Sequence, residues 1–191
     1  KKKIWCASST HPSEELLCAK AHIKIKKKYK NILTIIIPRH INRINEIKNE
    51  IQNLNLKVAI RSYGHKIKKD TDIYLVDTYG ETKKFYRYSN SVFLGGSMID
   101  HGGQNPIEPA RFGADIIHGP NIQNFREVYE LLETHKISKK VKDLNELINL
   151  VGKSFIKTKN SKSKYLKIDK IGNKILLNTL NEINSFINNE I

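Results

Sequence analysis

The stretch Phe93-Leu94-Gly95-Gly96-Ser97-Met98-Ile99-Asp100-His101-Gly102-Gly103-Gln104-Asn105-Pro106-Ile107-Glu108-Pro109-Ala110 runs from an apolar strand end, through two glycine pairs, into a helix start. A strand, a glycine loop and a helix in that order make the junction around which α/β proteins bind phosphates. Glycines let the backbone approach an anion closely, and a helix N-terminus offers unpaired N–H groups at the positive end of its dipole. The loop therefore reads as a phosphate cradle, with the carboxylate of Glu108 one turn beyond, placed to accept from sugar hydroxyls. Glycine pairs also serve ordinary turns, so the rest of the chain has to supply the context.

Outward from that junction, short apolar runs alternate with longer amphipathic ones, the pattern of a parallel sheet wrapped by helices. Strands are expected at Lys3–Ala7, Ile32–Ile37, Lys57–Arg61, Ile73–Val76, Ser91–Leu94 and Asp115–His118. Helices are expected at Ser13–Tyr29, Ile41–Leu54, Thr82–Tyr88, Pro106–Phe112 and Gln123–Glu133. Ile41, Ile44, Ile47, Ile51 and Leu54 recur at spacings of three and four, so one stripe of that helix faces the sheet. The fold class is α/β, a Rossmann-like parallel sheet with helices on both faces. From about Ser138 the texture changes: Lys159–Lys164 reads as a linker, and Ile168–Ile187 repeats apolar residues at helical spacing. Its stripe of Ile171, Ile175, Leu176, Leu180, Ile183 and Ile187 is suited to covering the sheet's flank. This divides the chain into a domain over residues 1–158 and a linker with an amphipathic helix over 159–191.

A length of 191 residues suits one domain with a good core. The net charge of +15 invites a nucleic-acid reading, but only six of the 34 basic residues are arginine, and lysine is scattered among isoleucine and asparagine. No basic run is interleaved with base-stacking aromatics. An anionic membrane surface or phosphorylated lipid suits the charge better, with Lys24–Lys28 and Lys136–Lys142 as the runs that would meet it. No apolar run approaches the roughly 20 residues of a membrane span. Cys6 and Cys18 lack metal-ligand spacing and read as reduced thiols, and the seven histidines show no zinc pattern.

Three places carry candidate chemistry. Arg39 follows the apolar strand through Pro38, where ligand-facing loops of open α/β sheets lie, and its guanidinium can grip phosphate oxygens in a fork. Asp77-Thr78-Tyr79-Gly80-Glu81 also follows a strand; Thr78 with Glu81 reads equally as a capping box. Asn105-Pro106-Ile107-Glu108 has the same double reading, with asparagine at the N-cap, proline at N1 and glutamate at N3. Asp70-Thr71-Asp72 imitates an Asp-x-Asp metal site but precedes its strand, so no metal is expected. His40 and His101 are candidates to line the crevice.

Taken whole, the Phe93–Ala110 string resembles the donor-binding segment of bacterial Kdo transferases, which move 3-deoxy-D-manno-octulosonic acid from CMP-Kdo to a lipid A precursor. Trp5–His11, Pro38-Arg39-His40, Asp77–Glu81 and Gly119–Phe125 resemble the same family in the same order. Pro12-Ser13 stands where the family usually has Glu-Gly, and Gln104 where it often has histidine. The resemblance implies the C-terminal half of a GT-B glycosyltransferase, and the length and the first residue Lys1 suit an excised half. It implies CMP and donor contacts at Pro38, Arg39, Tyr79, Gly80, Glu81, Asn105, Pro106, Ile107 and Glu108, with no metal or other cofactor. The catalytic base is expected in an N-terminal domain that also meets the acceptor, so this chain would bind donor without turnover, and the amphipathic helix of 159–191 would pack either on this domain or toward that one. The implied setting is the cytoplasmic face of the bacterial inner membrane, with its anionic surface as partner. The alternatives are a GT-B transferase using another nucleotide sugar, and a non-catalytic nucleotide- or polyanion-binding module.

Overall fold

Seven consecutive residues, Ile32–Pro38, are buried in the computed structural model, which describes residues 2–156 and 161–189. A strand covered on both faces needs apolar side chains at odd and even positions alike. Ile32 and Ile36 join one core, while Leu33, Ile35 and Ile37 join the other. This strand is β2 of an alternating series: β1 (Lys3–Thr10), α1 (Glu14–Lys28), β2 (Ile32–Pro38), α2 (Ile44–Gln52), β3 (Val58–Ile60), β4 (Ile73–Leu75) and α3 (Thr82–Tyr88). The series continues with β5 (Ser91–Leu94), α4 (Ile107–Arg111), β6 (Asp115–His118), α5 (Arg126–Thr134), β7 (Ser138–Lys140), α6 (Leu144–Ser154) and α7 (Ser161–Asn189).

The strands form one sheet in the order β3-β4-β2-β1-β5-β6-β7, parallel at every pairing. One face is covered by Cys18, Ala21 and Ile25 of α1, Ile47 and Ile51 of α2, and Leu147 and Val151 of α6. Tyr86 of α3, Ala110 of α4, and Tyr129 and Leu132 of α5 cover the other. The expected doubly covered parallel sheet is therefore present. Ile47 and Ile51 are fully buried, and truncating either to alanine costs about 2–5 kcal/mol.

The one polar residue in the middle of β2, Thr34, is matched from α1: its hydroxyl lies 2.8 Å from His22 Nδ1. His22 Nε2 lies 3.2 Å from Asp72, whose carboxylate also pairs with Lys26 and accepts from the Lys57 N–H at 3.0 Å. Burial pushes the His22 imidazole down to about 4 despite the carboxylate beside it. The Asp70-Thr71-Asp72 triplet is thus a structural node ahead of β4, with Asp70 on Lys57.

Several expectations change. The helix read over Ile41–Leu54 opens with a 3-10 turn at Ile41–Arg43 and ends at Gln52, and the one over Gln123–Glu133 opens similarly at Gln123–Phe125. The tail holds β7 and α6, neither read from the sequence. Strand β7 is short and polar, and its lysines are exposed at the sheet edge. The start of α6 carries a local signal: Asp143 accepts from the Glu146 N–H at 2.9 Å while Glu146 accepts from the Lys142 N–H at 2.8 Å. The linker expected at Lys159–Lys164 lies partly outside the described residues, and α7 already begins at Ser161. Ile168 of α7 reaches the core beside α4, whereas Leu176, Leu180, Ile183 and Ile187 are about half exposed; the side chain of Ile175 lies outside the described residues. No helix among the described residues is long and apolar enough to cross a membrane.

Candidate functional site

Strand order reverses beside β1: β2, β4 and β3 extend to one side, β5, β6 and β7 to the other. In open parallel sheets the crevice outside the carboxyl ends at such a switch point is where ligands bind. The loops after β1, β2, β4 and β5 lie at that edge; of the residues expected to contact a donor, Arg39, Tyr79, Gly80, Glu81, Asn105 and Pro106 are on them, while Pro38 ends β2 and Ile107 and Glu108 open α4.

The glycine loop after β5 is already filled by a side chain. Glu14, at the first position of α1 and 1% exposed, accepts through Oε2 from the N–H groups of His11 (3.0 Å) and Gly96 (2.7 Å). Its Oε1 accepts from Ser97 (3.2 Å) and Met98 (3.0 Å). Gly96, at φ 65°, curls these N–H groups toward one point, the kind of backbone nest that binds anions. The N–H of Gly103 is likewise taken, donating to the Gly96 carbonyl at 2.8 Å. The phosphate cradle expected here is therefore corrected: a protein carboxylate occupies the donors of Gly96–Met98. The fit is close, since a Cβ on Gly95 would lie 2.3 Å from the Ser9 carbonyl. Sequence reading missed Glu14; its only local signal was an acidic pair opening a helix that follows a strand.

The other wall is formed by Tyr79-Gly80-Glu81 and by Asn105–Glu108. α4 begins at Ile107, one residue later than expected, although Asn105 Oδ1 accepts from the Ile107 N–H at 2.9 Å as an N-cap would; no bond from the Asn105 N–H to Glu108 completes a capping box among the described residues. Pro109 sits comfortably as the third residue of this helix, because first-turn N–H groups have no intrahelical partner to lose. The Thr78–Glu81 capping box is also absent: α3 begins at Thr82, and Glu81 turns back to accept from Thr78 Oγ1 at 2.6 Å.

The two glutamates in this wall differ in what they have left to offer. Glu81 is gripped by Arg61 in a fork at 2.9 and 3.0 Å and by Lys84 at 2.9 Å. These donors, Arg61 foremost, hold its carboxyl far below the usual range. Glu108 is nearly half exposed and, among the described residues, meets only the Thr82 hydroxyl at 3.4 Å and Lys83 at 3.9 Å. Tyr79 stands 76% exposed, and Gly80 takes φ 77°, a conformation that favours glycine. Outside this wall an open groove of about 820 Å³ is lined by Asn105, Glu108, Lys83, Arg111, Phe112 and Tyr165.

At the switch point itself stand Arg39 and three imidazoles. Arg39 is exposed and its N–H donates to the Thr10 carbonyl at 2.9 Å, which fixes the loop after β2 to the end of β1; Pro38 is buried. His11 is 4% exposed, with the His101 ring 4.0 Å and the His40 ring 5.6 Å from its own. Burial, then His101, His40, Arg39 and Arg43, push the His11 imidazole down to about 4. Among the described residues no group of histidine, cysteine and carboxylate side chains could hold a metal ion. Cys6 and Cys18 are buried free thiols, raised by that burial.

No family model matches the chain. It is 35% identical over 129 residues to 3-deoxy-D-manno-octulosonic acid transferase of Haemophilus influenzae, covering 68% of this chain and 30% of that protein. It is 28% identical to the enzyme of the same name from Rickettsia typhi, covering 97% of this chain and 41% of that protein. The crystal structure of the C-terminal CMP-Kdo binding domain of WaaA from Acinetobacter baumannii superposes with a TM-score of 0.81 at 26% identity, covering 89% of both chains. This chain is a homologue of the Kdo transferases. It has the fold of their C-terminal domain, as the five sequence segments implied, and that fold is the C-terminal half of a GT-B glycosyltransferase. The chain spans well under half the length of the curated relatives it matches.

Proposed function

We propose that this chain is the donor-binding domain of a Kdo transferase and that CMP-Kdo is its ligand. The observation that carries the reading is Glu108. In a fold shared with a CMP-Kdo binding domain, it is a half-exposed carboxylate across from Gly80–Thr82 at the carboxyl edge of the sheet, with most of its acceptor capacity unused. It accepts from the two ribose hydroxyls, Tyr79 and Gly80 flank the nucleoside with backbone groups, and Asn105, Pro106 and Ile107 shape the opposite side. Glu81, spent on Arg61 and Thr78, braces this wall. Arg39 grips the phosphate and stabilises the charge that develops as CMP leaves, an electrostatic role that needs no metal. An acceptor hydroxyl of a lipid A precursor attacks the anomeric carbon. The base that takes its proton comes from a partner domain, so this chain binds donor without turnover. In the whole protein the site works at the cytoplasmic face of the inner membrane, where the net positive charge meets anionic lipid.

Calorimetric titration of the chain with CMP, UDP and cytidine tests this. Saturable CMP binding that exceeds UDP binding is expected, and its absence overturns the reading. Arg39→Ala should weaken CMP by about 1.5–3 kcal/mol, the worth of a charge-assisted pair, and leave cytidine unchanged. Equal losses for both ligands would make Arg39 structural.

A further inference from the structure

The loop Asp77–Glu81 after β4 is held from outside by one turn. Among the described residues, the side-chain hydrogen bonds that tie this loop to the rest of the chain run, apart from Lys84 of the adjoining α3, to Arg61 and Ser62 just after β3. Arg61 forks the Glu81 carboxylate at 2.9 and 3.0 Å, and the Asp77 carboxylate accepts from the Ser62 N–H at 2.9 Å and from the Ser62 hydroxyl. The turn that presents these donors is itself anchored. The Arg61 N–H donates to the Leu75 carbonyl at 2.9 Å, the Gly64 N–H to the Arg61 carbonyl at 3.1 Å, and the Ile60 N–H to His65 Nδ1 at 3.2 Å. Tyr63 Oη donates to Asn45 Oδ1 ahead of the middle of α2 at 3.1 Å, and Gly64 closes the turn at φ 68°. The Arg61–Glu81 pair is partly exposed, so it adds little to global stability. What a two-point fork fixes is direction.

We propose that Arg61 and Ser62 are positioning residues for base recognition: through Glu81 and Asp77 they hold the Tyr79–Gly80 backbone in the arrangement that reads the nucleobase. The inference rests on the donor-binding reading and extends it to two residues outside the set assigned to the ligand. Gly80, at φ 77°, has the widest backbone freedom of any residue type, so a loop built on it samples many arrangements unless something outside ties it down. Ordering the loop at the moment of binding would subtract from affinity, and a loop already clamped at both carboxylates avoids that cost. Cytosine and uracil differ only in the donors and acceptors along one edge, so their discrimination is the property most sensitive to where the reading backbone stands.

The test is calorimetric titration of the wild-type chain, Arg61→Ala and Asp77→Ala with CMP, UMP and ribose 5-phosphate at pH 8. The three ligands carry the same phosphate charge there, so a change in the general field cancels in their ratios. Arg61→Ala removes a positive charge and Asp77→Ala a negative one. A purely electrostatic effect therefore moves overall affinity in opposite directions in the two variants and leaves the ratios alone, whereas a positioning effect lowers the same ratios in both. In each variant the affinity for CMP relative to ribose 5-phosphate should fall about fivefold, the worth of one hydrogen bond. The preference for CMP over UMP should shrink with it, while the urea midpoint moves little. Arg61→Lys, which keeps the charge and loses the fork, should fall between wild type and Arg61→Ala. Ratios that stay at wild-type values in both variants overturn the positioning role and leave the donor reading intact. Equal losses for all three ligands with an earlier unfolding transition make the turn a structural brace, which also overturns it. A wild-type chain that binds CMP no better than ribose 5-phosphate sinks the donor reading, and the positioning role with it.

Discussion

Glu14 and Glu108 are both carboxylates set at helix starts beside the same glycine-rich loop, and their surroundings are opposite. Glu14 is buried and accepts four backbone N–H bonds. Glu108 is half exposed with one long hydrogen bond. The first uses its acceptor capacity to lock the loop after β5 to the end of β1; the second leaves most of its capacity unused, as the proposed ribose contact requires. On the proposed reading preorganisation and recognition are divided between two residues of one type, and burial is what separates the roles. An anion nest is only a ligand site when the protein has not already filled it.

The strongest way to break this contrast is Glu14→Ala. It leaves four N–H donors without their acceptor in a closed site, and such losses cost about 3–5 kcal/mol. Urea unfolding should show that loss, and CMP binding should fall with it because the loop that carries Asn105 and Glu108 is no longer held. A loss below about 1 kcal/mol would show that water replaces the carboxylate freely. Glu14→Gln should fall between, since an amide NH₂ placed in the nest faces N–H donors and cannot accept from them.

A smaller effect per group is expected on acidification. His22 and His11 are both held down to about 4 by burial, against about 6.5 in the unfolded chain. Between those values the unfolded state binds more protons than the folded one, so stability is full above pH 6.5 and falls as the pH drops toward 4. The loss by pH 4 should be of the order of 3 kcal/mol for each ring. Urea midpoints at pH 7.5, 6 and 5 measure it. His22→Asn should flatten the curve if the Thr34–His22–Asp72 node carries its share, and an unchanged curve would assign the effect to His11 and to His118, which burial also lowers.

What the sequence makes legible follows from where the physics is local. Ser91–Leu94, Asp115–His118 and Thr82–Tyr88 are read to the residue because apolar runs or helical spacing end at Gly, Pro or Asn signals. Strand β7 is invisible because Ser138-Lys139-Lys140 is an edge strand held by pairing to β6, not by an apolar face. The site was legible as a set of loops: the Arg39, Tyr79–Glu81 and Asn105–Glu108 segments do gather at one edge of the sheet. Its internal accounting was not. Glu14 fills its nest across more than eighty positions, and Arg61 neutralises Glu81 across twenty. Neither pairing has a periodicity or a local motif to reveal it.

The finest test of the contrast is Glu108→Gln, where the smallest change in stability should accompany a definite change in recognition. No capping box depends on this carboxylate: Asn105 takes the Ile107 N–H, and among the described residues Glu108 reaches only Thr82 and Lys83 on the neighbouring helix. Exposed interactions of this kind are worth a few tenths of a kcal/mol, so the unfolding midpoint should barely move. Glutamine keeps the shape and loses the charge that makes one carboxylate a strong acceptor for two hydroxyls, at a cost of about 1–2 kcal/mol in CMP affinity. Titration with CMP and 2′,3′-dideoxy-CMP separates the explanations. If Glu108 holds the ribose, the wild type prefers CMP and the variant loses most of that preference. A variant that keeps the preference while unfolding earlier would make Glu108 a brace between α3 and α4, and the contrast with Glu14 would become one of degree.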